Sequence, residues 1–166
     1  MPVDVFCADE QSTSSVDLER LGALARFVLE NRGLRSGAEV SILFVDPPAI
    51  AALNERFLGR VGPTDVLSFP VEDDLMASGR FPDAGGNGPG AGSEEQPPLL
   101  LGDVVICPEV ATSKATELGV PAGDNLELLV VHGLLHLLGM DHEIDAEAEV
   151  MEALERELLS AFAARP

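Results

Sequence analysis

Residues 126–143 read LELLVVHGLLHLLGMDHE, and this stretch governs both the architecture and the chemistry expected of the chain. From Leu126 to Met140 it is nearly all apolar, but it carries Glu127 and two histidines. A bilayer-spanning helix needs about 20 consecutive apolar residues, so the run predicts a buried helix at the centre of a globular core. His132, His136 and His142 are the chain's only histidines. Their spacing is H-x3-H-x5-H, with Gly139 between the second and third. Side chains four apart on a helix project from one face, one turn apart, so both rings can reach one ion. Gly139 permits a left-handed residue that ends the helix and turns the chain back, which brings His142 in as a third ligand. Three neutral nitrogens leave one tetrahedral position for water, the layout of a catalytic zinc site.

The competing reading is three ordinary core histidines on an apolar helix. Their surroundings argue against it, because LLVVHGLLHLLGM offers isolated imidazoles little to bond. A buried polar group without a partner costs about 1–3 kcal/mol, and a shared metal ion removes that cost. The expectation is therefore one zinc ion, although imidazole also suits nickel, copper and iron.

The chain has 166 residues, is 46% hydrophobic and only 4% aromatic, and lacks tryptophan and tyrosine. That predicts one domain, spanning residues 1–166, with a core of Leu, Val, Ile and Ala. Cys7 and Cys107 are far apart and form no C-x-x-C pair, so they read as buried hydrophobes in a reducing compartment. The start, MPVDVFCADE, has no basic region followed by an apolar stretch. Cytoplasmic placement is expected, with no membrane partner. A net charge of −19 opposes non-specific nucleic-acid binding. Charge placement matters more than the sum. Many acids fall in Glu72–Glu95 and Asp145–Glu157, whereas Arg56 and Arg60 lie elsewhere.

Around the histidine run the pattern predicts alternating strands and helices. Val3–Cys7 is a short strand, followed by a helix capped by Ser14 or Ser15 and stopped at Gly33. Val40–Asp46 reads as a buried strand. Pro47 and Pro48 open a helix over Ala49–Leu58, and Asp65–Phe69 is a third strand. Ser78–Pro98 holds six glycines and four prolines in 21 residues and reads as a solvated loop, either a lid or a tolerated insertion. A fourth strand over Leu100–Cys107 and a helix over Pro108–Leu118 follow. Asp124-x-x-Glu127 has the form of a capping box for the histidine helix. A last helix carries Ile144, Ala148, Met151, Leu154, Leu158 and Phe162 as its apolar stripe. The fold class is α/β (α+β), with about four strands forming a sheet, packed helices and a buried metal-binding helix.

A zinc site of this kind hydrolyses esters, amides or phosphodiesters. The metzincin protease pattern H-E-x-x-H-x-x-G-x-x-H places a glutamate base after the first histidine. Here that position is Gly133, which cannot accept a proton, so peptidase chemistry lacks its base.

Three runs together resemble the YbeY family: HGLLHLLGMDH (132–142), GPTDVLSFP (62–70) and LGDVVI (101–106). They stand in the family's order, and the resemblance covers nearly everything from about Val40 onward. It implies a bacterial metal-dependent endoribonuclease of single-stranded RNA, acting in 16S ribosomal RNA 3′-end maturation and ribosome quality control. It also implies zinc on His132, His136 and His142, a mixed sheet with the metal helix beneath it, and small-subunit or assembly proteins as partners. DNA is not expected.

One departure bears on catalysis. The family's L-N-x-x-Y-R-G segment is matched here by Leu53–Gly59, which puts Leu58 at the arginine position, and leucine cannot stabilise phosphoryl charge. Arg56 and Arg60 flank it. On a continuing helix they share a face and clamp a phosphate, or else they are solvated surface arginines. Arg60 is the better catalytic candidate because it precedes Pro63-Thr64-Asp65. Asp141 either orients a histidine or serves the turn. Thr64, Asp65 and Ser68 are candidates to face the cleft, with Asp65 alternatively starting the strand. Lys114, the only lysine, either binds phosphate or lies on the surface. The leading expectation is a zinc-dependent endoribonuclease. The alternatives are a non-catalytic, zinc-stabilised ribosome assembly factor and a divergent metallopeptidase.

Overall fold

A computed structural model describes residues 3–34, 37–70, 99–140 and 144–165. Four strands, β1 (Asp4–Asp9), β2 (Ala38–Phe44), β3 (Val66–Pro70) and β4 (Leu99–Ile106), form one sheet in the order β1-β2-β4-β3. β1 pairs parallel with β2, and β2 parallel with β4, while β3 closes the edge antiparallel to β4. The sheet is mixed, as expected. Five helices are present among the described residues: α1 (Leu18–Asn31), α2 (Pro47–Leu58), α3 (Pro108–Leu118), α4 (Ala122–Leu137) and α5 (Asp145–Ala164).

The period-two alternation of the strands divides the core between the two sheet faces. Val40, Ile42, Phe44, Val104 and Ile106 point to one face and pack with α1, α4 and α5. Val45, Leu67, Phe69, Val105 and Cys107 point to the other, where Ile50, Leu53 and Phe57 of α2 cover them. α4 belongs to the first face, with Val130, Val131, Leu134 and Leu135 fully buried. The expected buried histidine helix is therefore a central element lying on the sheet.

Helix ends depart from the sequence expectations in two places. Asp17, not Ser14 or Ser15, caps α1, its side chain accepting from the Arg20 backbone N–H at 3.1 Å. The Asp124–Glu127 pair is no capping box. α4 begins at Ala122 behind Pro121 with no side-chain cap, and Glu127 instead pairs with Arg20 Nε at 2.6 Å, tying α4 to α1. The local pattern was satisfied, but a partner on another helix claimed the carboxylate. Strand bounds moved by one or two residues, with β1 running on to Asp9 and β3 starting at Val66. The loop expected over Ser78–Pro98 lies outside the described residues.

The end of α4 is a Schellman turn. The Met140 N–H bonds to the Leu135 carbonyl at 3.0 Å and the Gly139 N–H to the His136 carbonyl at 3.0 Å. Gly139 adopts φ 99°, in the left-handed region where a side chain is strained. The helix thus stops at Leu137, one residue after His136.

Candidate active-site cleft

His132 and His136 stand one turn apart on α4, their ring centroids 4.7 Å apart and the planes at 81°. Both line a cleft of about 540 Å³ beside the edge strand β3. The opposite wall is the segment 58–64 joining α2 to β3, which brings Leu58, Arg60 and Thr64 to the same cleft. α2 ends at Gly59 (φ 68°), so the helix does not carry Arg56 and Arg60 on one face. The phosphate clamp between these two arginines is accordingly absent. Arg60 lines the cleft, whereas the Arg56 guanidinium lies over the Phe57 ring, 5.1 Å from its centroid. Leu58 is about half exposed at the rim. Among the described lining residues none is acidic, and Arg60 carries the one formal charge.

Ser68 faces the cleft, and its hydroxyl donates to the Gly133 carbonyl at 3.1 Å, fastening β3 to α4. Asp65 does not line the cleft. Its carboxylate takes Lys114 Nζ at 3.2 Å, and its backbone carbonyl accepts from the Cys107 N–H. Lys114 is thereby an exposed partner of Asp65 rather than part of the cleft. His142 and Asp141 lie outside the described residues.

Gly133 shows a steric reason for the missing protease base. It is buried against the sheet, where an added Cβ would stand 2.6 Å from Val104 Cγ1 and 3.3 Å from Ser68 Oγ. Position 133 faces the strands rather than the cleft, and no glutamate fits there.

Two residues emerged only from the tertiary structure. Asn54 is buried at the cleft wall, and its Nδ2 donates to the Gly62 carbonyl at 2.9 Å, pinning the Arg60 segment to α2. Its Oδ1 is buried without a hydrogen-bond partner among the described residues. Glu155 of α5 is 5% exposed, and its Oε2 lies 2.6 Å from Nδ1 of His132. Its sequence signal was a carboxylate inside an apolar stripe, four residues after Met151 and three before Leu158. Ile144, assigned to that stripe from sequence, is exposed instead.

The fold is α+β, with two histidines of its central helix lining one cleft, and comparison with known proteins gives the class. The family model described as Endoribonuclease YbeY matches residues 6–163. A protein of Acidothermus cellulolyticus named Endoribonuclease YbeY is 47% identical over 160 residues, covering 93% of this chain and 88% of the relative. One of the same name from Beutenbergia cavernae is 46% identical over 155 residues, covering 93% and 94%. A solution structure from Thermotoga maritima shares the fold, with a TM-score of 0.58 at 23% identity over 98% of this chain and 93% of that one.

The chain belongs to the Endoribonuclease YbeY family. It is an enzyme of the nuclease class. No helix among the described residues is long and apolar enough to cross a membrane.

Proposed function

We propose that this chain is a zinc-dependent endoribonuclease of single-stranded RNA, acting in the cytoplasm on ribosomal RNA in 16S 3′-end maturation and ribosome quality control. The observation that carries this reading is the chemistry of the cleft. Two imidazoles and one guanidinium converge there, with no acidic residue among the described lining, in a chain of net charge −19. Such a charge repels a polyanion over most of the surface. The described lining of this cleft holds Arg60 and no carboxylate, and there a phosphodiester meets favourable potential.

The donors present fit a borderline-soft divalent ion. His132 and His136 would hold it, and His142, five residues beyond His136 in the sequence run, is the third ligand we assign. Bound there, zinc supplies Lewis-acid polarisation of a phosphoryl oxygen and acidifies water near neutral pH. Arg60 binds and orients the phosphate through paired N–H donors. Ser68 has committed its hydroxyl proton to the Gly133 carbonyl, so it holds the wall of the cleft rather than donating to substrate. Family membership supports the endoribonuclease role; small-subunit or assembly proteins are proposed as partners on the resemblance.

The test is incubation of purified protein with single-stranded RNA, with and without chelator, beside His136→Ala. Cleavage that chelator abolishes, zinc restores and the variant lacks is the expected result. RNA left intact under every condition overturns the reading. Leu58 at the rim favours a second reading, a zinc-stabilised assembly factor without catalysis. Rescue of ribosomal RNA processing in cells by a folded His136→Ala protein would select it.

A further inference from the structure

The buried stripe of α5 consists of Met151, Glu155, Leu158 and Phe162, of which only Glu155 is polar. Met151, Leu158 and Phe162 are 1–2% exposed and sit in the main core, and Glu155 is 5% exposed among them. Glutamate is almost never buried unless paired, and replacing a buried charged group by an apolar one of similar volume is often neutral or stabilising. Core packing therefore gives no reason for a carboxylate here. Among the described residues its partner is His132, at 2.6 Å from Oε2 to Nδ1, and His132 lines the cleft.

An ionised carboxylate only accepts hydrogen bonds. The proton between the two groups belongs to Nδ1 in a neutral imidazole, which puts the ring's lone pair on Nε2, at the far edge of the ring. We propose that Glu155 is a positioning residue for the candidate metal centre: its carboxylate fixes His132 in the Nδ1–H tautomer and in the ring orientation that makes Nε2 the ligating atom. The inference rests on the reading of His132 and His136 as metal ligands. α5 thereby reaches the site from behind α4, as carboxylates that receive the second N–H of a ligating histidine do in other metal centres. His136 lies one turn along α4 from this contact, and the fixed pose of His132 sets the geometry in which both rings meet one ion.

The experiment compares the full-length wild type with Glu155→Gln, Glu155→Leu and His136→Ala. Three quantities are read: zinc affinity by chelator competition, the His132 tautomer by nitrogen NMR of the metal-free protein, and thermal unfolding of the metal-free protein. The expected result is zinc affinity lowered 10–100-fold in Glu155→Gln and at least as much in Glu155→Leu. The metal-free Leu variant should melt no lower than wild type and lose the Nδ1–H signature. A purely structural role would show the opposite, with a lowered melting temperature and unchanged zinc affinity, and would overturn the proposal. Equal zinc affinity in wild type and both Glu155 variants, with His136→Ala defective, overturns the role of Glu155 while leaving the metal centre standing. If wild type and His136→Ala bind zinc equally poorly, the metal reading itself falls, and this inference with it.

Discussion

Gly133 lies so close to Val104 that a Cβ at 133 would stand 2.6 Å from Val104 Cγ1, well inside contact distance. The absence of a side chain is what lets α4 settle onto β4 beside Ser68. Alanine gains about 1 kcal/mol over glycine in a helix interior, but overpacking a core costs about 1–3 kcal/mol, and Val104 is a stiff, β-branched neighbour. Gly133→Ala should destabilise the fold by about 1 kcal/mol, measured by urea unfolding. Gly133→Glu, which recreates the protease pattern, should fail to fold and yield no peptidase.

Arg60 and Arg56 separate cleanly by position, one in the cleft and one over Phe57. Arg60→Ala should lower RNA cleavage by about 10²–10³, the usual cost of losing one preorganised donor to a developing charge. Arg56→Ala should stay within about twofold of wild type, because that side chain is outside the cleft. Single-turnover cleavage at fixed ionic strength measures both. Leu58 is half exposed at the rim, so Leu58→Arg needs no burial of charge. It should tighten RNA binding and steepen its salt dependence.

Zinc at about one hundred times its dissociation constant should stabilise the folded protein by about 2.7 kcal/mol through mass action. For a chain of this size that corresponds to a rise of about 5–11 °C in melting temperature. Differential scanning calorimetry with and without chelator reads the shift. His136→Ala should abolish it, and Arg60→Ala should leave it intact.

The two thiols set the alkaline limit. Burial pushes Cys7 and Cys107 above the ordinary thiol range, with Arg26 opposing weakly at Cys7 and the backbone N–H groups of Glu109 and Val110 opposing at Cys107. The folded state then holds the thiol protons more tightly than the unfolded state. This contribution is complete below the unfolded thiol pKa of about 8.5 and is lost as pH rises through the folded values. The chain has no tyrosine and one lysine, so few other groups titrate in that window. Unfolding free energy should fall from pH 8 to pH 10, and a Cys7→Ser, Cys107→Ala double variant should flatten the profile.

The run LELLVVHGLLHLLGMDHE by itself determined that a helix would be buried, where it would stop and which two rings would share a face. Helical period, apolar content and a glycine in the left-handed region are local properties, and local rules read them. The strands β1 to β4 were legible for the same reason, through β-branched runs bounded by turn residues, whereas the mixed pairing of the sheet followed from the family resemblance and not from those runs. What only the tertiary structure decided is which residues from distant segments meet at those rings. Glu127 left its expected cap for Arg20, Asp65 turned to Lys114, Arg60 came into the cleft while Arg56 did not, and Glu155 reached His132 from 23 residues away. Each of these depends on how two elements pack, and a one-residue change in where α2 ends at Gly59 or how α5 is rotated would undo it. Spacing along a helix fixes the neighbours on its own face; only the packing of one helix on another fixes what stands behind them.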